Sequence, residues 1–92
     1  MGILSNHLAV DLGSENTRIF VKGKGIAINE PSIAAVKTGR RSPKILEVGS
    51  AAKKMIGKTP HDIELINPVR DGAIADFDVL SAILQYYFKK KL

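Results

Sequence analysis

The apolar positions fall into short bursts over most of the chain and into a helical stripe only near its end. Leu8-Ala9-Val10 and Arg18-Ile19-Phe20-Val21 predict two strands, because β-branched and aromatic runs bounded by turn residues favour extended backbone. They are joined by the bend Asp11-Leu12-Gly13-Ser14-Glu15-Asn16-Thr17. Lys22-Gly23-Lys24-Gly25 is a second turn signal, and Ile26-Ala27-Ile28-Asn29 completes an antiparallel three-strand meander. After Pro31 come a short strand over 32–37, a basic polar loop over 38–43 and a strand Ile45-Leu46-Glu47-Val48. Ser50 is placed to cap a short helix over 51–56, with Gly57 placed to terminate it. A loop over 59–62 precedes a strand over 63–66, which Asn67-Pro68 breaks, and 69–74 leads back toward a helix. From Val79 onward, Leu80, Ile83, Leu84, Tyr87 and Phe88 keep the i, i+3, i+4, i+7, i+8 spacing of one helical face. Asp76 or Asp78 can accept the free amides at its start. Such a stripe needs a sheet to cover, and the first three strands supply one, so the pattern predicts an α/β layer.

Composition narrows the picture. The 92 residues, 45% hydrophobic, suit one small domain or a piece of a larger one rather than a disordered chain. A chain this short buries a smaller share of its surface than a typical domain, so its independent stability is expected to be marginal. It has no cysteine, which excludes a disulfide framework and thiolate metal sites and fits a reducing cytoplasm. His7 and His61 have no second ligand at metal spacing and read as surface or turn residues. The net charge is +5, with basic clusters at Lys37, Arg40, Arg41 and Lys44, at Lys53, Lys54 and Lys58, and at Lys89, Lys90 and Lys91. No aromatic residue is interleaved with them, so they read as solvated surface and a helix end, and nucleic acid is not an expected partner. No apolar run approaches the roughly 20 residues of a membrane span. The start, Met1-Gly2-Ile3-Leu4-Ser5-Asn6, lacks the regions of a secretory signal, and Asn6 breaks the myristoylation pattern.

The first bend carries the chemistry. Gly13 can adopt the positive φ of a tight turn and has no side chain to hold an anion off the backbone. The amides of Ser14, Glu15, Asn16 and Thr17 could then converge on phosphate oxygens as a backbone nest. Asp11, at the end of its strand, is placed to hold a hydrated divalent cation, since magnesium keeps most of its waters and takes only one or two carboxylates. The same residues also suit an ordinary two-stranded turn.

Taken together, Val10 to Thr17, Val21-Lys22-Gly23-Lys24-Gly25-Ile26, Asn29-Glu30-Pro31-Ser32, Val48-Gly49, Ala52-Lys53, Gly57-Lys58-Thr59-Pro60 and Asp71-Gly72-Ala73-Ile74-Ala75-Asp76-Phe77 resemble the start of the MreB family, the bacterial actins that determine rod shape. The resemblance covers essentially the whole chain in the same order. It implies part of an actin-like (ribonuclease H-like) domain with a small α+β subdomain inserted. Residues 1–30 would begin the larger subdomain, 31–72 would form the small one, and 73–92 would return to the larger one. It further implies an ATPase in which two domains close around a nucleotide and protomers stack into filaments at the cytoplasmic face of the inner membrane, with membrane-bound cell-elongation proteins as partners. Gly13, Ser14, Glu15, Asn16 and Thr17 would form the first phosphate motif for ATP, and Asp11 would reach Mg2+ through water. Ile3-Leu4 offers only a stub of the apolar membrane segment that the family uses.

Glu15 stands where the family usually carries a small residue such as Ala. Its carboxylate would repel triphosphate if it pointed inward without an intervening cation. The family's second phosphate motif, adenosine motif and water-positioning glutamate are absent from these residues, so no catalytic residue is expected here. The chain alone is expected to bind ATP weakly and not to hydrolyse it. Two other readings stand beside this one: a fragment of a sugar or acid kinase or chaperone ATPase of the same superfamily, and a module that copies part of a filament surface and caps it.

Overall fold

The computed structural model describes residues 2–4, 7–39 and 41–91. Arg40 of the basic loop and Met1, Ser5 and Asn6 of the leader segment lie outside the described residues, as does Leu92. Strands β1 (Gly2–Leu4), β2 (Leu8–Leu12), β3 (Asn16–Val21) and β4 (Gly25–Pro31) form a four-stranded antiparallel sheet in that order. The predicted meander is β2-β3-β4, and β1 adds a strand that the sequence reading left as an apolar stub. Three residues are too few for alternation to show. On β2 and β3 the pleat turns Val10, Leu12, Thr17 and Ile19 inward and leaves Arg18 exposed, the period of two that fixes register wherever one face is buried.

A second antiparallel sheet places β5 (Ala34–Lys37) between β6 (Lys44–Val48) and β7 (Ile63–Ile66). Helix α1 (Gly49–Lys53) follows β6. It is shorter than expected and begins earlier, so Ser50 lies inside it rather than at its cap. The Ser50 hydroxyl instead donates to the Glu30 carboxylate at 2.8 Å. Two-residue strands β8 (Val69–Arg70) and β9 (Ala73–Ile74) form a hairpin around Asp71 and Gly72, at φ 52° and 76°. Asp-Gly is a strong signal for such a turn, and its strands are too short to show a pattern of their own.

Helix α2 (Phe77–Lys90) starts at Asp76, whose carboxylate accepts from the Val79 amide at 3.0 Å. Of the two candidate caps, Asp76 serves and Asp78 sits in the first turn. The buried arc is Val79, Leu80, Ile83 and Tyr87, while Phe88 remains 42% exposed. α2 comes nearest to β6, while its buried face shares one core with β2 and β3, so the expected cover of the first sheet is shared with the second. An apolar stripe specifies a face, not which sheet it meets. Here both sheets feed one core, where Val10, Leu12 and Ile19 join Ala34, Val36 and Val48 and the α2 residues. Among the described residues, no helix is long and apolar enough to cross a membrane.

Tyr87 is 2% exposed. Burial, with smaller contributions from the Glu30 carboxylate and Tyr86, pushes its phenol from 10.0 up to about 12. The folded chain therefore holds this proton more tightly than the unfolded chain. The associated stability is intact below pH 10.0 and is lost as pH rises from there toward about 12. Urea midpoints should fall across that window, and Tyr87→Phe should flatten the fall; a wild-type midpoint unchanged across it would contradict the assignment.

Candidate functional site

The bend between β2 and β3 comprises Gly13, Ser14 and Glu15, because β2 runs to Leu12 and β3 begins at Asn16. The Gly13 amide donates to the Asn16 carbonyl at 3.0 Å. Contrary to the expectation, Gly13 is not among the positive-φ glycines. Its lack of a side chain matters for close approach instead, since a Cβ there would stand 2.8 Å from the Asn16 carbonyl oxygen.

The bend's three carbonyls are all engaged. Ser32 donates its hydroxyl to Gly13 O at 2.6 Å and its amide to Glu15 O at 2.8 Å. The Asn67 side-chain amide donates to Ser14 O at 2.6 Å. Ser14 Oγ also accepts from the Gly72 amide at 3.3 Å. Thr17 is buried, with its Oγ1 2.8 Å from Ser32 Oγ. Because the single Ser32 hydroxyl proton goes to Gly13, Thr17 is the donor of that pair. Asn16 reaches sideways to Asn29 Oδ1 at 3.1 Å.

The amides of Ser14 and Glu15 donate to no group among the described residues. A peptide unit is planar and trans, so its N–H points opposite to its C=O. With the carbonyls of Gly13 and Ser14 drawn toward Ser32 and Asn67, the next two amides face the other way. A cleft of about 410 Å³ is lined by Ser14, Glu15, Asn16, Ser32, Lys53 and Asn67. Two amides turned away from the held carbonyls suit an anion.

Asp11 lies inside β2 opposite Arg18, and the two pair at 3.0 Å with side chains 46% and 48% exposed. An exposed pair of this kind contributes only about 0–1 kcal/mol, so Asp11 can exchange the guanidinium for a hydrated cation at little cost. Among the described residues no three His, Cys, Asp or Glu side chains converge to hold a metal. A lone carboxylate fits magnesium, which brings waters and uses phosphate oxygens as ligands. Neither Asp11 nor Thr17 lines the cleft. The sequence reading missed Ser32, Asn67 and Gly72 as parts of this site. Their only local signals are a Ser after Pro31, a break at Asn67-Pro68 and an Asp-Gly turn.

The profile of the MreB/Mbl protein family matches residues 5–92. The chain is 50% identical over 91 residues to the cell shape-determining protein MreB of Escherichia coli K12, covering 97% of this chain and 26% of the relative. It is 44% identical over 88 residues to the cell shape-determining protein Mbl of Bacillus subtilis, covering 96% of this chain and 26% of that one. It thus spans about a quarter of the length of the curated relatives it matches. Among solved structures, it resembles MreB5 of Spiroplasma citri bound to AMPPNP, with a TM-score of 0.77 and 36% identity over 88% of this chain and 24% of that one. The ADP-bound form of the same protein matches with a TM-score of 0.76. The two sheets and α2 are therefore part of an actin-like α/β domain. With a profile match running from before β2 through α2, and half its residues shared with a bacterial relative, the chain belongs to the MreB/Mbl family.

Proposed function

We propose that these residues are the N-terminal part of a bacterial actin-like cytoskeletal ATPase that polymerises into membrane-associated filaments and directs cell shape and wall elongation. The observation that carries the reading is the pair of Ser14 and Glu15 amides in the first bend, which donate to no group among the described residues. The names of the relatives and the nucleotides bound by the Spiroplasma citri protein agree with it. On this reading Gly13, Ser14, Glu15 and Asn16 meet the ATP phosphates, mostly through backbone, and Thr17 supports the bend from beneath through Ser32. Asp11 reaches Mg2+ through water, and the ion offsets phosphate charge when bound. Residues 1–30 begin the larger subdomain, 31–72 form the small one and 73–92 return to the larger one; the end of β4 at Pro31 supports the first boundary. The complete protein works at the cytoplasmic face of the inner membrane, with its own protomers and membrane-bound elongation proteins as partners. A kinase origin loses ground because the profile match extends through the segments on which a kinase would differ.

Phosphoryl transfer needs a metal, a positioned nucleophile and donors around the whole γ-phosphate, which one bend does not supply. The complete protein is expected to release phosphate and to sediment on ATP addition, and the 92-residue chain to release none in a malachite-green assay. Turnover by the short chain that disappears in Asp11→Ala would overturn the division of labour. A complete protein that neither sediments nor hydrolyses ATP would overturn the ATPase reading itself.

A further inference from the structure

The carbonyls of the bend are held from outside it. Ser32 accounts for two of its three carbonyls and Asn67 for the third. Ser32 is 3% exposed, and its hydroxyl and its amide are both engaged. Asn67 is oriented by a second bond, its Oδ1 accepting from the Val69 amide at 3.0 Å. That acceptor role leaves only its NH2 group to face Ser14, so the orientation of the amide is determined by the network. Both residues occupy matching places in the chain. Ser32 directly follows β4, ahead of β5, and Asn67 directly follows β7. The second sheet therefore departs from and rejoins the chain at the two residues that grip the bend.

We propose that Ser32 and Asn67 are positioning residues for nucleotide binding, which by holding the carbonyls of Gly13 and Ser14 aim the Ser14 and Glu15 amides at the phosphates. The inference rests on the reading of the bend as a phosphate holder. Peptide planarity is what transmits the effect: a carbonyl fixed on one side fixes the following N–H on the other. Donors set in place before the ligand arrives need no reorganisation on binding. Neither side chain has to touch the nucleotide.

The test uses the complete protein with Ser32→Ala and Asn67→Asp. The first removes a hydroxyl donor. The second keeps the acceptor for Val69 but sets a carboxylate oxygen against the Ser14 carbonyl. Affinities for ATP with Mg2+ and for adenosine are compared, and the Ser14 and Glu15 amide resonances are followed during the ATP titration. Each variant should bind ATP about tenfold more weakly, a change of about 1.4 kcal/mol, with adenosine affinity unchanged and a smaller response of both amides. ATP affinity within about twofold of wild type, or equal losses for ATP and adenosine, would overturn the positioning role while leaving the phosphate reading intact. Wild-type Ser14 and Glu15 amides that ignore ATP would sink the phosphate reading, and this inference with it.

Discussion

Gly13→Ala is expected to weaken ATP binding by the complete protein about 100-fold, corresponding to about 2.7 kcal/mol. The cause is crowding, not backbone conformation. The added methyl would sit 2.8 Å from the Asn16 carbonyl oxygen, a backbone atom that cannot rotate aside as a side-chain tip could. The same oxygen accepts the Gly13 amide, and the Gly13 carbonyl accepts from Ser32. Relieving the clash therefore pulls on two hydrogen bonds, each contributing about 1 kcal/mol, and redirects the amides that follow. A fluorescent ATP analogue titrated against wild type and variant measures the loss. Affinity within about threefold of wild type would mean that the bend does not hold phosphate in this shape.

Gly49→Ala should destabilise the fold by about 3 kcal/mol, through two separable causes. Gly49 has φ 62°, where any residue with a Cβ is strained by about 1–2 kcal/mol. Its new methyl would also stand 2.8 Å from the Glu30 Cβ and 3.0 Å from Cδ and Oε1. The Glu30 Cβ is fixed to the β4 backbone and cannot yield, and its carboxylate is tied to Ser50. Urea unfolding of the complete protein gives the total. In a Glu30→Gly background the same Gly49→Ala change should cost only the conformational share, because the clashing side chain is gone. A cost as large there as in the wild-type background would refute the clash as a cause.

Local pattern carried much of the architecture. The apolar runs of β2 and β3, a cap at Asp76 or Asp78 and the 79-83-87 arc of α2 depend on neighbours within a turn or a pleat, and each was legible. Ser32 and Asn67 were not, because their partners in the bend lie 19 and 53 residues away, and nothing local marks a hydroxyl or amide as a support for a distant carbonyl. The part of the second sheet in covering α2 was missed for a related reason: Val79 and Ile83 announce burial, but two sheets offered apolar faces. Ser50 shows competition between partners. It resembles a cap by position, yet the Glu30 carboxylate draws its hydroxyl away. At Gly13 the expected positive φ is not found, and the crowding that does require glycine was not legible, since chain sequence does not reveal that Asn16 folds back upon it.

The short edge strand β1 has a practical side. Its register sets Gly2 opposite Asp11, so a purification tag or fluorescent reporter fused ahead of Gly2 begins one ladder step from the carboxylate assigned to the cation. Binding constants obtained with such fusions will include whatever charge and bulk the appended sequence brings there. Labels attached elsewhere keep that border of the sheet as the native chain has it.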